Sequence, residues 1–168
     1  FVADWFVSFF KLKRFGIGRL QFEIVPFGAN YNKNGIVLTP DTKVINIHIP
    51  RSKEPLTEEA CIEAYSQAKV FFKAEIDTDP CPFVCASYLL YPENEKFLPP
   101  TTNTYRFFKS FDIISVRSDK ERKHLWRIFD THEKNIDRLP ADTTMRRAFI
   151  EHLKKGGKMG EGRGILFI

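Results

Sequence analysis

The sequence lacks any apolar run of the roughly 18 to 20 residues that a membrane-spanning helix needs. Its most apolar stretch near the start, Trp5 to Phe10, is soon interrupted by Lys11, Lys13 and Arg14. The start also lacks the order of a secretory signal, which is a charged region, an apolar run and then small residues. We therefore expect a soluble protein with no membrane partner.

Cysteine is scarce and odd in number, since Cys61, Cys81 and Cys85 are the only three among 168 residues. A domain of this size folds without disulfide staples, so the odd count favours a reducing, cytoplasmic environment. Cys81 and Cys85 are not matched by a second cysteine or histidine pair at the spacing of a zinc site. No metal cofactor is therefore expected.

Repeats, low-complexity tracts and linkers rich in glycine and serine are also absent. With 168 residues, 43% of them hydrophobic, the chain suits a single domain over residues 1–168. The net charge of +5 comes from scattered basic residues, which is typical of a solvated surface. Interleaved aromatic and basic residues from Tyr105 to Lys109 leave nucleic-acid binding open as an alternative. We expect no nucleic-acid partner.

Alternating polar and apolar residues predict two early strands. One covers Arg19 to Val25, and the other covers Val44 to Ile49, with Asn46 and His48 on one face and three isoleucines on the opposite face. The stretch from Trp5 to Lys13 fits either a helix or a strand, and we favour a strand.

A helix start is predicted at Thr57, because a hydroxyl cap followed by Glu58 and Glu59 suits the positive end of a helix dipole. Small and aromatic residues then recur at helical spacing as far as about Glu75. Phe83 to Leu90 predicts a strand buried on both faces. A strand, a helix and a second strand form a βαβ unit, so we expect the two strands to be parallel and the fold to be mixed α/β (α+β).

Shorter elements are predicted along the second half of the chain from turn residues, helix caps and apolar runs. They are a short helix at 93–97, a loop at 99–104, a strand at 111–116, helices at 120–127 and 143–154, a flexible turn at 154–163 and a last strand at 164–168.

Six strings spread over residues 18 to 157 carry a resemblance to a known family. They are Gly18–Glu23, Ile47–Pro50, Pro55–Ala60, Phe83–Leu90, Leu98–Pro100 with Asn103 and Arg106, and Leu139–Gly157. Together they resemble the carboxy-terminal domain of the bacterial GNAT-like acyltransferases. In that family the domain follows a separate amino-terminal domain, and a chain that opens on Phe1 is compatible with a fragment of a longer acyltransferase.

The resemblance implies a GNAT-like mixed sheet flanked by helices, and transfer of an acyl group from acyl-CoA to a small-molecule acceptor such as an amine. The missing amino-terminal domain is a further expected partner. In GNAT proteins the acyl carrier lies where two parallel strands splay apart, with its pyrophosphate on the following loop. Carried onto this sequence, the CoA-binding residues are Ile47, Ile49, Arg51, Ser52, Lys53 and Thr57.

The loop after the second predicted strand supports phosphate binding in one respect and opposes it in another. Arg51, Ser52 and Lys53 offer cations and a hydroxyl ahead of a helix amino terminus, where unpaired N–H groups attract anions. The glycine-rich signature of ordinary GNAT enzymes is missing, and Pro50 and Pro55 stand in its place. CoA binding and a plain capped helix both stay open.

Acyl transfer needs a base for the acceptor and an acid for the leaving thiolate. His48 is the candidate base, with a structural histidine as the alternative. Tyr88 and Tyr91 are candidate acids. The alternative is that both are core residues whose hydroxyls contact water. Cys85 is a candidate nucleophile, which would need a nearby histidine. The alternative is that Cys85 is a small, buried hydrophobic residue.

Asn103 and Arg106 follow a Pro-Pro turn and are candidates to bind a carboxylate or phosphate of the acceptor. The alternative is that the arginine braces a loop. An N-acyltransferase is the favoured function, and a non-catalytic GNAT-like module that binds a small metabolite or a partner domain is the second hypothesis.

Overall fold

The computed structural model describes residues 7, 13–119, 121–122 and 125–168. The predicted strand at Trp5 to Lys13 lies almost wholly outside the described residues. The chain forms two compact units, the first reaching Cys85 and including Ile165–Ile168, the second running from Ala86 to Gly164. The expectation of a single domain stays a prediction.

A sheet and one long helix build the part of the first unit from residue 13 onward. Strand β2 pairs antiparallel with β1 and with β5, and β5 pairs in parallel with β6, which confirms the predicted parallel pair. Helix α1 connects β5 to β6. The elements are β1 (Arg14–Ile17), β2 (Leu20–Pro26), β3 (Tyr31–Lys33), β4 (Ile36–Leu38), β5 (Lys43–His48), α1 (Glu58–Phe71) and β6 (Pro82–Ser87).

Helix α1 covers one face of this sheet, and aromatic side chains fill the contact. Phe22 and Phe83 lie on that face, with ring centroids 6.4 and 5.6 Å from that of Tyr65 on the helix. Burying three large rings removes much apolar area from water, which is the main stabilising term of this layer. Because side chains alternate along a strand, the next residue of each strand faces the other side of the sheet.

The turn between β1 and β2 approaches α1 closely. Gly18 has a φ of +56°, and a Cβ atom there would lie 3.3 Å from the Cβ of Ala64. A glycine therefore suits this turn both in its backbone angle and in the space available.

Helix α1 begins as predicted, since the Thr57 hydroxyl accepts a hydrogen bond from the Ala60 N–H over 3.2 Å. It ends at Phe71 rather than near Glu75, because the chain turns over the next residues. The Phe72 and Ile76 N–H groups donate to the carbonyls of Ala68 and Phe72, and both side chains are buried.

The second unit has its own core of apolar side chains. Its members are Leu98, Leu125, Ile128, Phe129, Leu139, Phe149, Leu153 and Met159. The elements of this part of the chain are α2 (Asn103–Lys109), β7 (Asp112–Ser118), α3 (Leu125–Phe129), α4 (Thr144–Lys154) and β8 (Gly160–Phe167), with 3₁₀ turns at Tyr88–Leu90, Pro92–Lys96 and Ile136–Arg138.

Several predictions for this part of the chain were wrong in detail. The helix expected at 120–127 is α3, which covers Leu125–Phe129, and residues 160–163 of the expected flexible turn belong to strand β8. The strand expected over Phe83 to Leu90 ends at Ser87 and continues as a 3₁₀ turn, and the expected loop at 99–104 runs into helix α2. The last strand begins at Gly160 rather than Gly164. Gly162 packs directly against the backbone of Leu90, where a Cβ atom would fall 1.9 Å from the Leu90 carbonyl oxygen. Glycine at this position therefore allows close packing and does not serve flexibility.

The predicted mixed α/β class is confirmed: the sheet mixes parallel and antiparallel pairs and is flanked by helices. In the part of the chain that the structure describes, no helix combines the length and apolarity that crossing a membrane requires.

Candidate functional site

A row of polar side chains crosses the sheet of the first unit on the face away from α1. Arg14 of β1 is the register partner of Glu23 on β2, and Glu23 is the partner of Asn46 on β5. Partner residues point to the same face of a sheet, and His48 joins them because it lies two residues beyond Asn46. The structure thus brings His48 together with Arg14 and Glu23, which the sequence analysis did not identify.

Glu23 is at the centre of this cluster. Its Oε1 lies 2.6 Å from His48 Nε2, and Arg14 Nη2 donates to both carboxylate oxygens over 3.0 Å. Asn46 Nδ2 donates to Glu23 Oε1 over 3.2 Å and lies 3.1 Å from His48 Nε2. The Glu23 carboxylate on β2 therefore connects three side chains from the two neighbouring strands, β1 and β5.

The cluster is largely shielded from water, with side-chain exposures of 8% for Arg14, 15% for Glu23 and 19% for His48. Burial alone would raise the pKa of Glu23, but hydrogen bonds and charge attraction from His48 and Arg14 outweigh it. The net effect lowers the pKa of Glu23 below its ordinary 4.5. Glu23 is therefore a carboxylate at neutral pH.

An anionic Glu23 fixes the orientation of the imidazole. Because the carboxylate can only accept, His48 donates its Nε2 proton, and in the neutral ring the lone pair is then on Nδ1. A carboxylate in this position also stabilises the imidazolium that forms when the ring takes up a proton. The pair has the chemistry of a general base, so the sequence candidate His48 lies in a fitting environment.

Arg19 holds the loop that follows β5. Its Nε donates to the Glu54 carbonyl over 2.9 Å, and its Nη1 donates to the Pro50 carbonyl over 3.0 Å. Ser52 Oγ accepts from the Glu54 N–H over 3.0 Å, which tightens the loop further. Sequence reasoning missed Arg19, because the loop carbonyls that it binds lie far along the chain and leave no local signal.

The candidate CoA-binding residues occupy β5, this loop and the start of α1. Arg51, Ser52 and Lys53 are exposed, and Ile49 is half-buried. The Thr57 hydroxyl accepts the Ala60 N–H, so this side chain acts as the helix cap. Whether these residues bind a phosphate stays a prediction. Arg51, Ser52 and Lys53 precede the amino terminus of α1, where the Thr57 hydroxyl already pairs with one N–H group.

Cys85 lies on the other face of the sheet from His48. It is the register partner of Ile47, and both are almost completely buried on the face that α1 covers. The histidine that a cysteine nucleophile would need is therefore not His48. The environment of Cys85 is that of a small core residue.

The remaining site candidates belong to the second unit. Tyr88 is half-buried, Tyr91 is buried, Asn103 is half-buried at the start of α2, and Arg106 is exposed on the same helix. Their proposed roles stay predictions. Sequence reasoning missed the buried residue Asn94. Its Nδ2 donates to the backbone carbonyls of Tyr88 and Leu89 over 2.8 and 3.2 Å, which holds this part of the chain in place.

The sequence pattern of a family described as the GNAT-like C-terminal domain matches residues 14–166. The chain belongs to this family. The match spans both compact units, from β1 to the end of β8, and it confirms the resemblance inferred from the six strings.

Several solved structures have a fold similar to that of this GNAT-like domain. An acyltransferase in complex with decanoyl-CoA and teicoplanin is 22% identical, with a TM-score of 0.78 over 97% of this chain and 49% of that chain. An acyltransferase in complex with decanoyl-CoA is 20% identical, with a TM-score of 0.76 over 96% of this chain and 48% of that chain. At such identity the likeness shows the fold alone.

The GNAT-like domain spans about half the length of these solved acyltransferases. None of the curated proteins matches it.

Proposed function

We propose that this GNAT-like domain transfers an acyl group from acyl-CoA to an acceptor, with His48 as the general base. The observation that carries the proposal is the Glu23–His48 pair, whose 2.6 Å contact orients the ring at the carboxyl end of β5. Half-buried acid–histidine pairs of this kind can serve proton transfer when a nucleophile has to be activated.

The proposed place of the carrier is the end of β5 and the loop after it, both in the first unit. The parallel ladder between β5 and β6 ends at Ile47 and Cys85, and β5 continues to His48. Backbone groups of Ile47 and Ile49 would pair with the pantetheine arm. Arg51, Ser52 and Lys53 would bind the phosphates, together with the N–H groups at the start of α1.

In the proposed reaction the acceptor's lone pair attacks the thioester carbonyl, a bond to the acyl carbon forms and the carbon–sulfur bond breaks. The acceptor's proton passes to His48, and Glu23 stabilises the imidazolium. The thiolate takes a proton from water or from Tyr88 or Tyr91, which stay candidate acids. Asn103 and Arg106 stay candidates for binding an anionic group of the acceptor.

Acyl-CoA is proposed as the co-substrate because solved structures with this fold contain decanoyl-CoA. A small-molecule acceptor or amine and an amino-terminal domain of the same protein are the proposed partners. The cytoplasm is the proposed location, which fits three cysteines that are not joined in disulfides.

Calorimetry with acetyl-, octanoyl- and decanoyl-CoA tests carrier binding. Lys53→Met and Arg51→Met are each expected to weaken binding about tenfold, which is the worth of one charged hydrogen bond to a phosphate. Lys73→Met is the matched control, because Lys73 is an exposed lysine beyond the opposite end of α1. Absence of heat with all three acyl-CoA esters would remove the proposal.

A second candidate function is a non-catalytic module that binds a small metabolite or a partner domain. The missing glycine signature favours it, since Pro50 and Pro55 lie where glycines would allow a close approach of the backbone to phosphate. Release of thiol from acyl-CoA by the wild-type chain, but not by His48→Ala, would exclude this alternative.

A further inference from the structure

The turn between β1 and β2 contacts the loop that follows β5 through a single side chain. Arg19 is one of the two central residues of this tight hairpin turn. Its Nη1 donates to the Pro50 carbonyl over 3.0 Å, and its Nε donates to the Glu54 carbonyl over 2.9 Å. One guanidinium therefore holds two points of a loop that lies 31 and 35 residues further along the chain.

The two carbonyls enclose the residues proposed to bind the phosphates of acyl-CoA. Residues 51–53 lie between Pro50 and Glu54 and are exposed. Neither a helix nor a strand includes residues 49–57, so regular backbone pairing does not fix this loop. The hydrogen bonds from Arg19 anchor it on both sides of the exposed residues.

Prolines limit how this loop can bind a phosphate with its backbone. Pro50 has no N–H to donate, and Pro55 restricts Glu54 to extended conformations. Phosphate binding then depends on the side chains of Arg51 and Lys53, which lose much conformational freedom when a ligand immobilises them. A backbone that is already held in place lowers the ordering cost that remains on binding.

We propose that Arg19 is a positioning residue, which holds the loop after β5 in the conformation that binds the phosphates of acyl-CoA through Arg51 and Lys53. The inference rests on the proposed function, in which these two cations bind the carrier. An arginine-braced loop with cationic side chains then takes the place of the glycine-rich loop that this sequence lacks.

Calorimetry with decanoyl-CoA on the full chain tests this role. Arg19→Met removes both hydrogen bonds, so we expect binding to weaken about tenfold, as for one lost hydrogen bond to a charged group. Arg19→Lys keeps the charge but not the planar fork, so we expect roughly threefold weaker binding. Arg147→Met is the matched control, because Arg147 Nη1 also donates to a backbone carbonyl, that of Ala141 in the second unit, over 2.9 Å.

Urea denaturation establishes that each variant is folded, and Arg19→Lys carries the test if Arg19→Met does not fold. Unchanged affinity for decanoyl-CoA in both variants overturns the proposal. Full affinity in Arg19→Lys together with weaker binding in Arg19→Met also overturns it, because charge alone would then be the contribution of Arg19.

A double-mutant cycle separates positioning from a purely structural contribution. Because Arg19 acts through the loop cations, Arg19→Met should cost less affinity in Lys53→Met, about threefold, than the tenfold expected in the wild-type chain. Equal losses in the two backgrounds overturn the proposal, since Arg19 would then act independently of Lys53.

Hydrogen exchange of the Glu54 amide reports the order of the loop without any ligand. This N–H donates to Ser52 Oγ over 3.0 Å, and its exchange depends on how often the loop opens. We expect Arg19→Met to raise its exchange rate severalfold and Arg147→Met to leave it unchanged. An exchange rate that is equal in the wild-type chain and Arg19→Met overturns the proposal.

The wild-type chain distinguishes this inference from the proposed function. Absence of decanoyl-CoA binding in the wild-type chain removes both. Binding and thiol release that are equal in the wild-type chain and Arg19→Met remove only the role of Arg19. Weaker binding in Arg19→Met, in a chain that never releases thiol, supports the role of Arg19 and removes the transferase.

Discussion

At the scale of single residues, Glu23 connects the polar cluster, since it accepts hydrogen bonds from Arg14 and Asn46 and lies against His48. Removing its charge would take away the carboxylate that accepts two hydrogen bonds from the guanidinium of Arg14, which is 8% exposed. A buried charge whose partner is lost destabilises the folded state far more than a surface pair does.

Glu23→Gln is therefore expected to lower the free energy of unfolding by about 3 kcal/mol at neutral pH, as measured by urea denaturation. Because the folded pKa of Glu23 is lowered, its contribution is complete above the ordinary value of 4.5 and is lost as pH falls through the folded value. The difference between wild type and variant should shrink on acidification. A difference that does not change with pH would contradict this account.

Sequence reasoning at this scale found part of the cluster. Alternation in β5 correctly placed Asn46 and His48 on one face, because a strand's period is a local property. It did not find Arg14 and Glu23, since their contact with His48 depends on the register of β1 and β2. Register is set by pairing between strands, which no single segment specifies.

At the scale of elements, α1 shows how a short sequence signal fixes a helix terminus. The Thr57 hydroxyl pairs with the Ala60 N–H, and Glu58 and Glu59 occupy the first turn. Both features act within four residues of each other, so they do not depend on the rest of the fold.

Thr57→Ala is expected to lower the free energy of unfolding by about 1 kcal/mol, because the cap hydrogen bond is lost. Thr57→Ser keeps the hydroxyl and is the matched control, with an expected change close to zero. Thermal unfolding measured by circular dichroism checks both variants. Equal destabilisation by alanine and serine would mean that methyl packing, rather than capping, is the contribution of Thr57.

Helix α2 is the contrasting element, since the sequence predicted a loop over its start. It spans seven residues, Asn103–Lys109, and Thr102 caps it by accepting from the Tyr105 N–H over 3.3 Å. Isolated helices of this length are not stable in water. Burial of Phe107 and Phe108 stabilises it, and that contact is decided by tertiary structure.

At the scale of the whole molecule, the chain forms two compact units, and strands β6 and β8 each contribute residues to both. If the chain is a single domain, it should unfold in one cooperative transition, with equal calorimetric and van't Hoff enthalpies.

Gly162→Ala distinguishes one cooperative domain from two. Its Cβ atom would collide with the Leu90 carbonyl, so we expect a loss of about 3 kcal/mol. In a single domain, calorimetry should show the whole transition moving to lower temperature. A scan in which only part of the unfolding heat moves would contradict the prediction. Gly16→Ala is the control, because a Cβ atom there meets nothing within 4 Å.

The sequence by itself determined the features that depend on neighbouring residues. These are the alternating strand β5, the capped start of α1, the parallel βαβ unit and the strings that place the chain in its family. Each follows from backbone periodicity, capping or an allowed connection, and all of these operate within short stretches of chain.

Tertiary structure alone decided which side chains meet. Strand register joined Arg14, Glu23 and His48 across three strands and put Cys85 on the opposite face. The physical reason is that a shift of one residue in register moves every side chain of a strand to the other face, and register reflects the packing of the entire sheet.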